Sequence, residues 1–281
     1  MRGKVVVVTG GTSGIGEVAA EALAAMGARI VLIARDGVRA DATLGRLRER
    51  GPGVAHRAHL ADLSAMAATR RVAAEIAAAE PRIDVLINNA GAMFGARRVT
   101  SEGLELTFAT NHMSYFLLTH GLRERLLAAA PSRVINTASA AHRRATVDFD
   151  DLQSARDYAG FKVYSLSKLL NILYTRELAR RSAGTGVTAN SLHPGFVATR
   201  FADASGGLFS WVVRASKRVF AISVEKGAET LVYLASSPDV ATISGGYFYQ
   251  CRLATPTRAA QDDAAARRLW EETAKLAGLR S

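Results

Sequence analysis

The chain has 281 residues, 49% of them hydrophobic, which is enough for one large buried core, and no linker, repeat or low-complexity block points to a second domain. Its 36 basic residues outnumber 25 acidic ones for a formal charge of +11, which invites a nucleic-acid reading. The excess is mostly arginine scattered over helical faces with no aromatic-interleaved stripe, so no nucleic-acid partner is expected, although a positive field suits a phosphorylated ligand.

In chain order, Val5-Val6-Val7-Val8 is a β-branched run of the kind buried on both faces of a parallel sheet. It leads into Thr9-Gly10-Gly11-Thr12-Ser13-Gly14-Ile15-Gly16 and then an Ala-rich helical pattern that stops at Gly27. A second strand follows at Arg29 to Ala34, completing a βαβ unit. Gly10 suits a tight turn, Gly14 a close approach of backbone to a pyrophosphate, and Gly16 close packing of helix on strand; the helix N-terminus offers free N–H groups to phosphates. Further strands are predicted near 54–60, 83–88, 133–138, 187–193 and 244–249, with helices over 14–27, 38–50, 64–79, 101–128, 162–183 and 225–236. The alternation predicts a single α/β domain over 1–281, a Rossmann-type doubly wound parallel sheet of about seven strands with helices on both faces. Ligands in such sheets bind at the carboxyl ends of the strands.

At the end of the second strand stands Ala34, followed by Arg35, where an acid would repel a 2′-phosphate and a guanidinium can grip one. Asp36 reads as the start of the next turn. Tyr164 and Lys168 lie one helical turn apart, so an ammonium shares a helix face with a phenol whose ordinary pKa is near ~10. The single cysteine, Cys251, excludes an internal disulfide framework and suits a reducing cytosol. Because the first strand begins almost at Met1, no signal peptide, anchor helix or integral membrane segment is expected, and a cytoplasmic location is.

The spacing Gly10-x-x-x-Gly14-x-Gly16, with Asn88-Asn89-Ala90-Gly91, Ser139, Tyr164-x-x-x-Lys168 and Pro194-Gly195, resembles the short-chain dehydrogenase/reductase family over roughly residues 3 to 250. Thr110-Asn111-His112, Phe116-Leu117-Leu118-Thr119-His120, Phe149-Asp150-Asp151-Leu152-Gln153 and the run from Ser167 to Ala179 resemble its retinol-dehydrogenase-like branch. The resemblance implies a catalytic tetrad. Tyr164 would exchange the proton at the substrate oxygen, Ser139 would orient that oxygen, and Lys168 would hold the nicotinamide ribose and lower the Tyr164 pKa. Asn111 would complete a water-linked proton path.

Expected cofactor contacts are Gly10, Thr12, Ser13, Gly14, Ile15, Gly16, Arg35, Asn89, Ala90, Gly91, Tyr164, Lys168, Pro194, Gly195, Val197 and Thr199, and Arg35 makes NADP(H) the expected cofactor. Where the family places an aspartate for the adenine this chain has His59-Leu60, so Leu60 with His59 or Asp62 is expected there. A lid at about 196–222, containing Phe196 and Trp211, would cover a hydrophobic substrate with Met93 and Phe94; a basic amphipathic segment at 204–222 resting on a membrane is the other reading of that stretch. No metal is expected. The implied activity is NADP(H)-dependent reduction of a ketone or aldehyde of a hydrophobic small molecule. A quinone or polycyclic aromatic ketone is the alternative substrate, and a non-catalytic cofactor-binding regulator the alternative class. A homodimer or homotetramer built through the helices carrying Asn111 and Tyr164 is expected.

Overall fold

The computed structural model describes residues 1–195 and 223–279. Strand Val5–Thr9 (β1) is buried along its whole length. Val5 and Val7 join one hydrophobic cluster, Val6 and Val8 another. Successive side chains of a strand face opposite sides, so an unbroken apolar run is stable only where helices cover both. Helices Gly14–Ala25 (α1), Gly37–Arg50 (α2) and Met66–Ala79 (α3) alternate with strands Arg29–Ala34 (β2), Arg57–Leu60 (β3) and Val85–Asn88 (β4). Strands Ser132–Thr137 (β5), Val187–Leu192 (β6), Tyr247–Tyr249 (β7) and Arg252–Leu253 (β8) complete the sheet. Its order is β3-β2-β1-β4-β5-β6-β7-β8, parallel except for β8. The architecture is a single Rossmann-like α/β domain. The predicted seven strands become eight because Gln250 and Cys251, with φ of 49° and 59°, turn the chain back on β7.

Sequence periodicity predicts one helix over 101–128, and the structure divides it. Leu106–Phe108 (α4) passes into a π-helical turn at Ala109–Met113, then into Ser114–Gly121 (α5) and Arg123–Ala128 (α6). Helices Gly160–Arg181 (α7) and Val224–Ser236 (α8) fall close to their predicted positions.

A C-terminal helix, Asp263–Leu276 (α9), was not among the predicted elements. Its signals are present: Asp262 caps it by accepting from the Ala264 and Ala265 N–H groups at 2.9 Å, and Ala266, Leu269, Trp270, Thr273 and Ala274 repeat at helical spacing. It packs on α5 and α7. Trp270 meets Phe116 edge-on at 5.0 Å between centroids and stacks on Tyr174 at 5.7 Å. The Arg181 guanidinium lies 4.6 Å over the same indole. Helix α9 thus covers part of α5 and α7. A cavity of about 500 Å³ lies in this seam, lined by Phe116, Tyr174, Leu178 and Trp270 among others. Among the described residues, no helix is long and apolar enough to cross a membrane.

The β1–β4 pair, which bounds the ligand crevice, is clamped at both ends. At the amino end Asp84 accepts from the Val5 N–H at 2.9 Å, from Lys4 Nζ at 2.9 Å and from Arg82 at 2.7 Å. Burial alone would raise this carboxyl; the Val5 N–H and the two cations outweigh it and hold Asp84 below the ordinary carboxylate range. A depressed native pKa adds stability that is present above the unfolded value and lost as the pH falls through the folded one. Asp84→Ala is therefore expected to cost roughly 1–3 kcal/mol at neutral pH and to flatten the acid limb of the stability curve. Thermal melts of both proteins across acid and neutral pH check this; identical acid limbs would contradict it.

Candidate active site

At the carboxyl end of the same strand pair, one hydroxyl does what Asp84 does at the other. Thr9 Oγ1 accepts from the backbone N–H groups of Asn89 at 2.8 Å and Ala90 at 2.9 Å. Asn89 Nδ2 returns a bond to Thr9 O at 3.2 Å, and the Tyr115 hydroxyl donates to Ala90 O at 2.9 Å. Asn89, Ala90 and Gly91 are thereby fixed beside the glycine loop. Sequence reasoning had not assigned Thr9 this role; its signal was a hydroxyl at the last position of an otherwise valine strand.

The glycine loop has the backbone its sequence predicts. Gly10 and Gly14 have φ of 65° and 60°, the left-handed region that favours glycine. A Cβ on Gly16 would lie 2.3 Å from Gly10 O and 2.4 Å from Asn89 Nδ2, so helix α1 can approach the strand only without a side chain there. Ile15 is buried against the core. Thr12 is half-buried and Ser13 exposed. Ser13 is the N-cap residue of α1 but its side chain makes no capping bond, which leaves first-turn N–H groups directed out of the helix toward the crevice. This donor set fits a dinucleotide pyrophosphate.

Around the crevice, Ala34 ends β2, Arg35 is exposed, and Asp36 caps α2 by accepting from the Arg39 N–H at 3.1 Å. Asp36 thus begins the next helix, as its position suggests. His59 turns toward α3, with Nδ1 3.3 Å from Glu75 Oε2. Asp62 accepts from the Ser64 N–H at 3.0 Å and its hydroxyl at 2.8 Å. Leu60 pairs with Ala34 in the sheet register and is half exposed. Of these three candidates for adenine, Leu60 alone has a side chain without a polar engagement of its own.

The four tetrad residues converge from three segments. The π-turn carries Asn111, whose Oδ1 accepts from the Ala92 N–H at 2.8 Å while Nδ2 donates to Ala92 O at 2.9 Å and Ser167 Oγ at 3.0 Å. Such turns widen a helix locally. On α7, Tyr164 and Lys168 share a face, and Lys168 Nζ stands 5.6 Å from the Tyr164 ring centroid and 6.0 Å from that of Tyr115. Lys168 Nζ donates to Thr137 O at 3.0 Å. Ser139 follows β5, accepts from the Ala141 N–H at 3.2 Å and is hydrogen-bonded to the Tyr164 phenol. A Cβ on Gly91 would lie 3.3 Å from Asn111 Oδ1 and 3.4 Å from Lys168 Nζ.

In the protein without cofactor, burial pushes the Tyr164 phenol up to about 12, against a lesser pull down by the Ser139 hydrogen bond. Burial also takes the Lys168 ammonium down to about 7. Among the described residues, Lys168 is held by carbonyl oxygen with no carboxylate to offset its desolvation. Tyr164 retains an accessible edge and is protonated at neutral pH.

Pro194 and Gly195 follow β6, and the Gly195 N–H donates to His193 Nδ1 at 3.2 Å. Burial, helped by His142 and Arg143, lowers His193 to about 4, so its neutral ring can accept that bond while stacking on Tyr249 at 4.1 Å. Met93 is buried and Phe94 half-buried. The Phe94 carbonyl accepts from the Tyr158 hydroxyl at 3.0 Å, and a Cβ on Gly160 would lie 2.4 Å from it. Phe196, Val197, Thr199, Trp211 and the whole expected lid at 196–222 lie outside the described residues. Among the described residues, no group of three or more His, Cys, Asp or Glu could hold a metal ion.

A Gly-x-x-x-Gly-x-Gly loop against β1, with Tyr164, Lys168, Ser139 and Asn111 gathered at the strand ends, defines an oxidoreductase site, and the chain belongs to the short-chain dehydrogenase family, whose model matches residues 4–206. Human retinol dehydrogenase 14 is 39% identical over 301 residues, covering 99% of this chain and 88% of the relative. Human retinol dehydrogenase 13 is 40% identical over 284 residues, with 99% and 85% covered. Within the family the chain lies in the retinol-dehydrogenase-like branch. A crystal structure of a Mycobacterium paratuberculosis protein matches with a TM-score of 0.79 and 28% identity, over 99% of this chain and 95% of that one. RhlG of Pseudomonas aeruginosa, in complex with NADP, matches with a TM-score of 0.69 and 29% identity, over 88% and 94%. The cofactor of the site is accordingly a nicotinamide dinucleotide.

Gly16→Ala is expected to weaken binding of the nicotinamide dinucleotide at least about tenfold, because its Cβ cannot coexist with Gly10 O without moving α1. Fluorescence titration measures this; wild-type affinity would contradict the packing role of Gly16.

Proposed function

We propose that this protein is an NADPH-dependent carbonyl reductase acting on a hydrophobic aldehyde or ketone. The observation that carries the reading is geometric: Tyr164 and Lys168 share one face of α7, with Lys168 Nζ 5.6 Å from the Tyr164 ring, and Ser139 stands beside the phenol, so two hydroxyl donors and a cation meet where a carbonyl oxygen would lie. A nicotinamide cofactor held by the Gly10–Gly16 loop would supply the hydride for the carbonyl carbon. Tyr164 gives its proton to the carbonyl oxygen as negative charge builds there, and the products are an alcohol and oxidised cofactor. The Ser139 hydroxyl holds the same oxygen, so two donors meet the developing charge. Lys168, fixed on Thr137 O, places a cation by the Tyr164 ring and stabilises the phenolate left after transfer. Asn111 holds the Ala92 backbone and Ser167, which in turn donates to Tyr164 O at 2.7 Å.

The preference for NADPH over NADH is supported by the absence of an acid at Ala34 and by exposed Arg35. The NADP complex of RhlG and the NADPH complex of a metagenomic blue fluorescent protein, which matches with 29% identity and a TM-score of 0.70, add to it. The names of the relatives make retinal the first carbonyl to try. Phe94, Met93 and the apolar residues of 196–222 support a lipophilic substrate. The complete tetrad speaks against a regulator that binds cofactor without turnover.

The purified protein should oxidise NADPH faster than NADH with at least one of retinal, aromatic ketones, quinones or steroid ketones. Tyr164→Phe should lower kcat by more than about a hundredfold while NADPH affinity stays within about threefold. Tight NADPH binding with no turnover on the panel would contradict the proposal.

A further inference from the structure

Lys168 is positioned by a chain of hydrogen bonds that reaches the C-terminal helix. Thr137 O, the acceptor of Lys168 Nζ at 3.0 Å, also accepts from Asn171 Nδ2 at 3.3 Å. The same Nδ2 donates to Asn111 O at 2.9 Å. One amide group thus ties the carbonyl that holds Lys168 to the carbonyl of the tetrad asparagine. Asn171 lies on α7 one turn beyond Lys168 and is fully buried.

The orientation of that amide is set from outside the tetrad. With both Nδ2 hydrogens committed to carbonyls, Asn171 can only accept at Oδ1. His112 Nδ1 lies 3.3 Å from Oδ1 and must therefore carry the proton. Burial lowers fully buried His112 to about 4, so the ring is neutral and has a single N–H. Its Nε2 is then a bare acceptor, and 3.0 Å away stands the hydroxyl of Thr273 on α9. The hydroxyl has to be the donor. Each direction follows from the one before, and the whole chain is buried. Without the Thr273 donor, Nε2 would be a buried acceptor with no partner and the ring would be anchored through Asn171 alone. A ring released at that end can shift, and the Asn171 amide that seats the Thr137 and Asn111 carbonyls shifts with it.

Packing alone does not call for a hydroxyl at this place. The surrounding face of α9 is closed by Ala266, Leu269 and Ala274, all buried, and an aliphatic side chain would fill the same space. We propose that Thr273 is a positioning residue for Lys168, acting through His112 and Asn171, so that helix α9 belongs to the catalytic machinery. This rests on the catalytic role given to Lys168 above.

Full-length wild type, Thr273→Val and Thr273→Ser, assayed with NADPH and all-trans-retinal or the panel carbonyl that wild type turns over fastest, test it. Thr273→Val should lower kcat about tenfold, as expected for a displaced catalytic group, with KM for the carbonyl within twofold. Thr273→Ser should restore kcat to within about twofold. In ¹⁵N-histidine spectra, wild-type His112 should be the Nδ1–H tautomer with a hydrogen-bonded Nε2, and Thr273→Val should shift the Nε2 resonance to that of an unbonded acceptor. Full kcat in Thr273→Val, no rescue by serine, or an Nε2–H tautomer in wild type would overturn the proposal while leaving the carbonyl-reductase reading intact. The tautomer reading on wild type decides even where the valine variant does not fold. A wild type that reduces no carbonyl overturns both.

Discussion

Desolvation of Lys168, seated on a carbonyl with no carboxylate beside it among the described residues, is the constraint around which this site is built. A buried ammonium is costly unless dipoles replace its lost water. The protein gives Lys168 the carbonyl of Thr137 and the faces of Tyr115 and Tyr164. These are enough to seat it, yet they leave its ammonium weakened to about 7. A site in this condition is ready for an anionic or hydroxyl-rich ligand, because any such contact stabilises the charged form.

Holding carbonyls in place for that purpose requires a polar interior. Asn88 and Asn136 face each other across β4 and β5, with Asn88 Nδ2 2.9 Å from Asn136 Oδ1. Asn136 Nδ2 continues to Thr175 Oγ1 at 3.0 Å, and Thr175 donates to Asn171 O at 2.6 Å. Sheet and α7 are thus joined beneath the reacting groups by directional bonds as well as by Leu169, Leu170 and Leu173. This network leaves one acceptor, Asn88 Oδ1, buried without a hydrogen-bond partner among the described residues. Its members fix one register of helix on sheet, which apolar contacts alone tolerate losing by small slips.

The parts legible in the sequence are those whose signals are local. A valine strand, a glycine loop and an Ala-rich helix define β1, its turn and α1 within a few residues of one another. Tyr164 and Lys168 share a face because their spacing equals a turn. What stayed hidden depends on partners distant in the chain. The π-turn at Asn111 has no periodicity to betray it, since the apolar pattern runs on through α5. Helix α9 carried a cap and an amphipathic stripe, but its value comes from Trp270 and Thr273 meeting residues of α5, α7 and the π-turn. The charge states of Tyr164 and Lys168 were also out of reach: spacing shows that a cation and a phenol are close, whereas burial decides which way each pKa moves.

The account is tested most directly by counting protons when NADPH binds. Lys168, at about 7 in the protein alone, is mostly neutral at a pH one unit higher and must regain its proton if it meets the cofactor as a cation. Calorimetry in buffers of differing ionisation enthalpy at that pH should show uptake approaching about one proton in wild type and none in Lys168→Met. Binding enthalpies of wild type that do not depend on the buffer would contradict the claim that burial of Lys168 prepares the site.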